Sequence, residues 1–357
     1  MNIKLFFLLL SILLLIGLLS FLLTLLVIPL AKHFKAYDKD DKRHSVNGIK
    51  LRMGGLSIFI SFSIFIIIIG GFSPLINSIL IGGLSIIVIG MIDDIYGITP
   101  YIKLTLLLGS SIIPVLFGVR IEWFNLFGNY ITFGIWSIPI TIIWVLILTN
   151  AMNLIDGLDG LACGISVISA LTLTVIAFIM NVTDIALITL CLCGASLGFY
   201  PLNKVPAKIT LGDTGALFLG YTFAVISIEG LFKTSAIVSY LIPVIIFSLP
   251  IFDVFFSILR RSIRKSSIVL ADRDHLHYRM IDFGIKQSKT VEILHIFSIV
   301  NSIGAVLLAL GKYVSGLLII FISSASLIII YVFLRKERID AKADVCLRNS
   351  SGSNKTG

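Results

Sequence analysis

Long apolar runs separated by short polar segments dominate the chain from Leu5 to Leu334. A helix needs about 20 apolar residues to cross the hydrocarbon layer of a bilayer. Eleven runs approach this length, so the pattern predicts eleven transmembrane helices. The runs cover about 5–31, 54–72, 75–92, 101–118, 136–152, 161–180, 184–200, 214–228, 235–256, 291–310 and 313–334.

The composition agrees with this pattern. Hydrophobic residues make up 57% of the 357 residues and charged residues only 13%, with a mean hydropathy of +1.07. A soluble domain has about a quarter of its residues charged, so soluble, disordered and disulfide-built secreted folds are excluded. We predict an all-α polytopic membrane protein with one integral membrane domain, 1–339, followed by a disordered cytoplasmic tail, 340–357.

The basic residues predict the orientation. Of the 28 Lys and Arg residues, 24 lie in alternate connecting segments and the tail, at 32–53, 93–103, 201–213, 257–290 and after 334. The positive-inside rule makes these segments cytoplasmic and the N-terminus external. We therefore expect a multi-pass protein of the cytoplasmic membrane. The net charge of +9 then reflects topology rather than nucleic-acid binding.

One external segment has a different pattern. Residues 119–134 partly alternate between apolar and polar positions and contain a Gly-Asn pair. A pair of this kind between alternating residues favours a tight turn. We predict a small outer β-hairpin near 119–134.

Carboxylates gather at three helix ends on the predicted cytoplasmic side. Asp93 and Asp94 close the third run, Asp156 and Asp159 follow the fifth, and Asp213 precedes the eighth. An ionised side chain at the middle of a membrane helix costs about 2.5–3.5 kcal/mol, so acids within apolar segments usually mark a functional site. Asp156 and Asp159 are three residues apart, so they would share a face if this segment were helical.

Five converging carboxylates repel one another unless a cation lies among them. Mg²⁺ binds one or two carboxylates together with phosphate oxygens and water. Glycines beside these acids leave room for an anion near the backbone. The sequence therefore predicts a Mg²⁺–phosphate site, with Mn²⁺ as a second choice. The alternative is that these acids only cap helices and hydrate the interface.

Segment 257–290 supplies the basic part of the predicted site. His275 and His277 are two residues apart with Arg273 beside them, a group that suits phosphate or sugar oxygens. Two histidines alone do not indicate zinc, which needs further ligands. Asp253, in an apolar run, is either the partner of a loop arginine or part of the site.

Together these segments resemble the polyprenyl-phosphate N-acetylhexosamine-1-phosphate transferases, which include phospho-MurNAc-pentapeptide translocase. The resemblance spans about residues 50–280, and its strength lies in the ordered set of motifs rather than in any one of them. The motifs are Met-Gly-Gly-Leu at 53–56, Asp93-Asp94 with Lys103, Asn-x-x-Asn-x-x-Asp-Gly-Leu-Asp-Gly-Leu-Ala at 150–162, Asn203 with Gly-Asp-Thr-Gly at 212–215, Pro-Ile-Phe-Asp at 250–253, and Ala-Asp-Arg-Asp-His-Leu-His at 271–277.

The resemblance implies transfer of a sugar 1-phosphate from a UDP-N-acetylhexosamine to a polyprenyl phosphate such as undecaprenyl phosphate, with release of UMP and a requirement for Mg²⁺. It implies that Asp213 and Asp156 bind the metal, that Asp93 is a base toward the lipid phosphate, and that Asp94 supports Asp93. Asp159 belongs to the same catalytic group. The implied substrate contacts are Lys103, Asn153, Asn203, Arg273, His275 and His277.

The histidine segment resembles the branch that uses UDP-GlcNAc or a related plain sugar, the first membrane step of teichoic acid, O-antigen or capsule synthesis. The peptide-bearing branch has a His-His-His-Phe-Glu run, which is absent here. Tyr278 stands where the family has a further histidine. Family membership also suggests membrane lipid as a partner and a homodimer.

Three alternatives remain at this stage. The first is the phospho-MurNAc-pentapeptide transferase of peptidoglycan synthesis. The second is an ion-coupled transporter, which predicts carboxylates near the midplane on broken helices. The third is a CDP-alcohol phosphotransferase, which would require two further spaced aspartates that segment 160–180 lacks.

Overall fold

Helices form almost all of the structure, a computed structural model that describes residues 3–37, 50–126, 129–230, 238–263 and 275–353. Those ranges contain thirteen α-helices. In chain order they are α1 (Ile3–His33), α2 (Gly55–Gly70), α3 (Pro74–Tyr96), α4 (Pro100–Leu116), α5 (Ser137–Ile155), α6 (Leu161–Ile179), α7 (Thr183–Asn203), α8 (Gly212–Gly230), α9 (Val238–Ile246), α10 (Ser248–Ile263), α11 (Leu276–Asp282), α12 (Gln287–Ala309) and α13 (Tyr313–Ser353). The predicted helical fold is confirmed.

Seven helices in the described ranges are long and apolar enough to cross a membrane. Two more, α2 and α4, are apolar but shorter, at 16 and 17 residues. The protein is therefore a multi-pass membrane protein. The count of eleven crossings and the external N-terminus remain predictions. The seven candidate spans are Ile3–His33, Pro74–Tyr96, Gly134–Ile155, Leu161–Ile179, Thr183–Asn203, Gln287–Ala309 and Tyr313–Phe333.

The predicted span 235–256 is interrupted in the structure. α9 ends at Ile246 and α10 begins at Ser248. The N–H of Ile251 still donates to the carbonyl of Phe247, at 3.0 Å. Pro250 has no N–H to donate to the carbonyl of Ile246, four residues earlier, and this missing hydrogen bond explains the break.

The end of the chain differs from the sequence prediction. We predicted no regular structure after residue 339, but α13 continues to Ser353. Arg, Lys, Glu and Ala residues, which favour helices, follow the apolar part of this helix. Extending an existing helix avoids the unfavourable nucleation step, so these polar residues continue it. Residues 354–357 lie outside the described part of the chain.

The predicted β-hairpin near 119–134 is present. Strands β1 (Trp123–Leu126) and β2 (Asn129–Thr132) pair antiparallel, with Trp123 opposite Thr132 and Leu126 opposite Asn129. Its position on the external side remains a prediction.

Helix α8 lies at the centre of the fold and carries Asp213 on its first turn. It packs against α2, α3 and α5, and nearly all of its side chains are buried. The backbone at its start lies close to α2 and α3. A Cβ added to Gly55 of α2 would lie 2.0 Å from the Gly215 Cα, and one added to Gly90 of α3 would lie 2.5 Å from the Thr214 Cα. Glycine therefore lets the ends of α2 and α3 approach the start of α8.

Helices α1 and α7 pack through small residues, as membrane helices commonly do. Gly194 and Gly198 are four residues apart on α7 and face Gly17 of α1. A hydrogen bond from the Ser20 hydroxyl to the Ala195 carbonyl, at 2.6 Å, adds to this contact. The α7 backbone, which ends at Asn203 beside the site described below, is thereby fixed.

Gly198→Ala is expected to lower the thermal unfolding temperature of the detergent-solubilised protein by several degrees. The new Cβ would lie 2.0 Å from the carbonyl oxygen of Gly17, and such overpacking costs about 1–3 kcal/mol. Gly109→Ala is the matched control, since its Cβ meets nothing within 4 Å. Equal unfolding temperatures for both variants would contradict this packing.

Candidate active site

Asp94 joins the end of α3 to the start of α8. Its Oδ1 accepts a hydrogen bond from the N–H of Asp213 at 2.9 Å, and its Oδ2 accepts from the N–H (3.1 Å) and the hydroxyl (2.6 Å) of Thr214. A carboxylate that accepts from the first N–H groups of a helix caps that helix and complements its dipole. Asp94 therefore caps α8 in the structure, and its support of Asp93 stays a prediction. The cap fixes the backbone that carries Asp213.

Lys103 of α4 lies between two other carboxylates. Its Nζ is 3.0 Å from Asp93 Oδ2 and 2.5 Å from Asp213 Oδ2. It also donates to the side-chain oxygen of Asn153 at 3.2 Å, while the Asn153 amide donates to Asp213 Oδ1 at 2.7 Å. The ammonium offsets the repulsion between Asp93 and Asp213. In the structure Lys103 contacts protein oxygens, and its contact with phosphates stays a prediction.

A cavity of about 210 Å³ lies where these helix ends meet. Its walls come from the ends of α5 and α7, the start of α8, segment 50–52 and the start of α11. The structure thus brings together residues that are up to 228 positions apart in the chain, from Lys50 to Tyr278. Six predicted site residues line the cavity: Asn153, Asp156, Asp159, Asn203, Asp213 and His275.

Asp156 and Asp159 differ in their surroundings. Asp159 Oδ1 lies 3.1 Å from the Lys50 ammonium, and Oδ2 accepts a hydrogen bond from the N–H of Ala207 at 3.2 Å. The Asp156 carboxylate has no hydrogen bond or ion pair within the part of the chain that the structure describes. Burial, and then the negative charge of Asp213, hold the pKa of Asp156 well above its ordinary value. Asp156 is the carboxylate of this group that most needs a cation.

Lys50 and Arg52 line the cavity although the sequence did not identify them. The segment that carries them pairs with the loop before α8, since the Thr210 N–H donates to the Leu51 carbonyl at 2.8 Å. Arg52 Nη1 lies 3.7 Å from Asp94 Oδ1. The positive-inside rule accounts for basic residues in this loop, so their type alone carried no signal. Their position just before Met-Gly-Gly-Leu is the feature that could have identified them.

Asn203, the last residue of α7, is 1% exposed and lines the cavity. Its amide donates to the Ile209 carbonyl at 3.1 Å. Among the described residues its side-chain oxygen has no hydrogen-bond partner. A buried acceptor without a partner is costly, so this oxygen is suited to a ligand that donates a hydrogen bond.

The histidines lie against Asp253 of α10. Asp253 Oδ2 is 2.9 Å from His275 Nδ1 and 3.9 Å from His277 Nδ1, and Oδ1 accepts from the N–H of Leu276 at 3.1 Å. Asp253, which the sequence left open between two roles, therefore contacts the histidine segment. Burial lowers the pKa of His277 to about 4, so this ring is neutral near pH 7. Arg273 lies outside the described residues.

Tyr278, the departure from the family motif, connects α11 to the loop after α5. Its hydroxyl donates to the carbonyl of Gly157 at 3.4 Å. A Cβ on Gly157 would lie 2.4 Å from His277 Nε2 and 2.8 Å from the Tyr278 hydroxyl. This glycine, which was expected to make room for an anion, makes room for protein side chains.

The residues of this cavity suit an open Mg²⁺ site, in which substrate and water supply part of the ligands, better than a site closed by protein ligands alone. No group of three or more His, Cys, Asp and Glu side chains in the described ranges could hold a metal ion by itself. The two predicted ligands, Asp156 and Asp213, instead line an open cavity. Mg²⁺ is commonly held by one or two carboxylates and completes its shell with substrate phosphates and water.

Comparison with known proteins agrees with these motifs. The family model of glycosyl transferase family 4 matches residues 76–231. A Bacillus subtilis protein described as a probable undecaprenyl-phosphate N-acetylglucosaminyl 1-phosphate transferase is 36% identical over 310 residues, which cover 85% of this chain and 87% of the relative.

Of two further relatives, one has a lower identity to this chain than the Bacillus subtilis protein, and the other matches a shorter part of the chain. A decaprenyl-phosphate N-acetylglucosaminephosphotransferase of Mycobacterium tuberculosis is 30% identical over 288 residues, 71% of each chain. A phospho-N-acetylmuramoyl-pentapeptide-transferase of Streptococcus uberis is 38% identical over 241 residues, 59% of this chain and 71% of the relative. The chain belongs to glycosyl transferase family 4, the family that joins these membrane transferases.

Proposed function

We propose that this protein transfers N-acetylglucosamine 1-phosphate from UDP-GlcNAc to undecaprenyl phosphate and releases UMP. The observation that carries the proposal is the cavity in which Asp156 and Asp213 lie beside Lys50 and Arg52. Carboxylates for a divalent ion and basic groups for phosphates are both needed to hold a nucleotide diphosphate. The Bacillus subtilis relative, matched over most of its length, supports the choice of sugar and acceptor.

The transfer is a phosphoryl substitution. An oxygen of the lipid phosphate forms a bond to the β-phosphorus of UDP-GlcNAc, and the bond from that phosphorus to the bridging oxygen breaks. The bridging oxygen leaves on the α-phosphate as UMP, and the new lipid diphosphate carries the sugar. Such reactions depend mainly on positioning and charge neutralisation.

The donor is held by groups that the cavity supplies. Lys50 and Arg52 are suited to the diphosphate, because Arg and Lys form charge-assisted hydrogen bonds with phosphate oxygens. The side-chain oxygen of Asn203 is suited to an N–H of the uracil ring. Asp156 and Asp213 would hold Mg²⁺, which supplies positive charge to the diphosphate when bound.

The acceptor reaches the site from the membrane, since its long apolar chain lies in the bilayer. We assign Asp93 as the base that takes a proton from the lipid phosphate when that phosphate is a monoanion. Asp93 is fixed by the Ile98 N–H, at 2.8 Å to Oδ1, and by Lys103 at Oδ2. Lys103 is the basic group available to the incoming lipid phosphate.

The proposal includes the setting of the reaction. The basic loops assign the active site to the cytoplasmic side of the cytoplasmic membrane, where soluble UDP-sugars are found. The product would begin a teichoic acid, O-antigen or capsule-type polymer. The absence of a His-His-His-Phe-Glu run and the shorter match to the pentapeptide transferase argue against the peptide-bearing substrate.

The function is tested with purified protein, undecaprenyl phosphate, Mg²⁺ and a panel of donors. We expect UMP release with UDP-GlcNAc, none without metal, and little with UDP-MurNAc-pentapeptide. Mn²⁺ is expected to replace Mg²⁺ in part. Release of UMP only from the pentapeptide donor would assign the protein to the other branch, and folded protein inactive with every donor would contradict the proposal.

The apparent affinity for Mg²⁺ is expected to fall as the pH is lowered from 8 to 5.5. The pKa of Asp156 is raised, so protons compete with the metal at a higher pH than they would for an ordinary aspartate. Asp156→Asn should lower the apparent affinity for Mg²⁺ and make that affinity vary less with pH. Mg²⁺ titration of UMP release measures both effects. Asp184→Asn, at an exposed position on α7, is the control. A wild-type affinity that does not vary with pH would contradict the role of Asp156.

Asp93→Asn is expected to reduce kcat about 100-fold or more at pH 5.5, where the lipid phosphate, with a second pKa of about 6, is mainly a monoanion. The amide cannot accept the proton and no longer balances Lys103. UMP release is measured at saturating concentrations of both substrates, and thermal unfolding verifies the fold. An unchanged rate at pH 5.5 would reject Asp93 as the base.

A further inference from the structure

Asp253 makes two separate contacts with the segment that begins α11. Its Oδ1 accepts from the backbone N–H of Leu276 at 3.1 Å, and its Oδ2 lies 2.9 Å from His275 Nδ1. Both side chains are largely buried, 9% exposed for Asp253 and 3% for His275. One carboxylate of α10 therefore fixes both the backbone and the ring at the edge of the cavity.

The contact determines which ring nitrogen His275 can offer to a substrate. A nitrogen lone pair 2.9 Å from a carboxylate oxygen would be repelled, so Nδ1 must carry a proton. His275 lines the cavity whereas Asp253 does not. Because Nδ1 is engaged by Asp253, Nε2 is the ring nitrogen left for a ligand. A carboxylate that fixes the tautomer and orientation of a histidine is a recurring device in active sites.

Two groups lie beside this ring, one with a charge and one with a second imidazole. Asp253 contributes a negative charge from α10. The His277 ring lies nearly parallel to that of His275, at 5.7 Å between centroids and 5° between planes, and it is neutral near pH 7. The negative charge beside His275 is therefore not offset by a positive charge on His277.

We infer that Asp253 is a positioning residue that orients His275 so that Nε2 donates to the diphosphate of the nucleotide sugar. The inference rests on the proposed function and adds a residue to it. The ring then lies between two anionic groups, the Asp253 carboxylate at Nδ1 and a phosphate oxygen at Nε2, and both groups accept hydrogen bonds. His275 then makes a charge-assisted hydrogen bond to the donor, and Asp253 acts only through it.

Asp253→Asn separates the two contacts. The amide oxygen can still accept from the Leu276 N–H, so the backbone of α11 stays anchored. The amide nitrogen cannot accept from Nδ1 as the carboxylate oxygen does, so the partner that holds a proton on Nδ1 is lost and the negative charge is gone. Asp253→Ala removes both contacts and reports the combined effect.

Steady-state kinetics and calorimetry with UDP-GlcNAc test the inference on the full-length protein in detergent. Loss of a charge-assisted hydrogen bond should raise the KM for UDP-GlcNAc, and the dissociation constant, about tenfold in Asp253→Asn. The KM for undecaprenyl phosphate should change less than about twofold, because the acceptor does not contact this ring. A merely structural defect would alter both constants and the unfolding temperature.

A double-substitution cycle gives the sharper result. If Asp253 acts through His275, the double variant Asp253→Asn/His275→Ala binds UDP-GlcNAc no more weakly than His275→Ala alone. Additive effects of the two substitutions on UDP-GlcNAc binding would overturn the inference. The proposed function would still stand in that case, provided that the wild-type protein turns over UDP-GlcNAc. Wild-type protein that neither binds nor turns over UDP-GlcNAc would overturn the proposed function and the inference with it. Asp184→Asn is the charge-matched control, with constants like those of the wild type.

Discussion

Negative charge at the ends of membrane helices is the constraint on which the rest of the structure depends. Carboxylates beside an apolar layer must be neutralised or hydrogen-bonded. The fold does this in three ways: backbone N–H groups of α8 bind Asp94, the ammonium of Lys103 joins Asp93 to Asp213, and Lys50 pairs with Asp159. The helices are therefore arranged as much by these polar contacts as by apolar packing.

These contacts also line the cavity that, in the proposed function, would hold a diphosphate and a metal ion. Most of the carboxylates already have partners, so their geometry is set before substrate arrives, and preorganised charge is an effective source of transition-state stabilisation. Asp156 has no such partner within the described ranges, and it lines the cavity together with Asp213. The arrangement thus combines a rigid set of acids with one position that gains most from a bound cation.

The sequence predicted the helical membrane fold and the hairpin, and six of the residues it singled out line one cavity, because each leaves a local or ordered signal. Apolar run length marks the helices, and the order of short motifs marks the family. It could not predict that Asp94 caps α8, since this contact joins residues 119 and 120 positions apart. Lys50 was missed for the same reason: the backbone pairing that brings its segment to the cavity is not visible in a loop with many basic residues. The helical continuation after residue 339 was missed because composition suggested disorder.

The central claim is that a divalent ion bound by aspartates from separate helix ends allows a nucleotide diphosphate to enter this cavity. A cryo-electron microscopy structure of the protein with Mg²⁺ and UDP-GlcNAc tests it most directly. The account predicts a metal within about 2.1 Å of carboxylate oxygens of Asp213 and Asp156, with the diphosphate completing its shell. A nucleotide bound elsewhere, or a diphosphate held by basic side chains alone with no metal on these aspartates, would contradict the account.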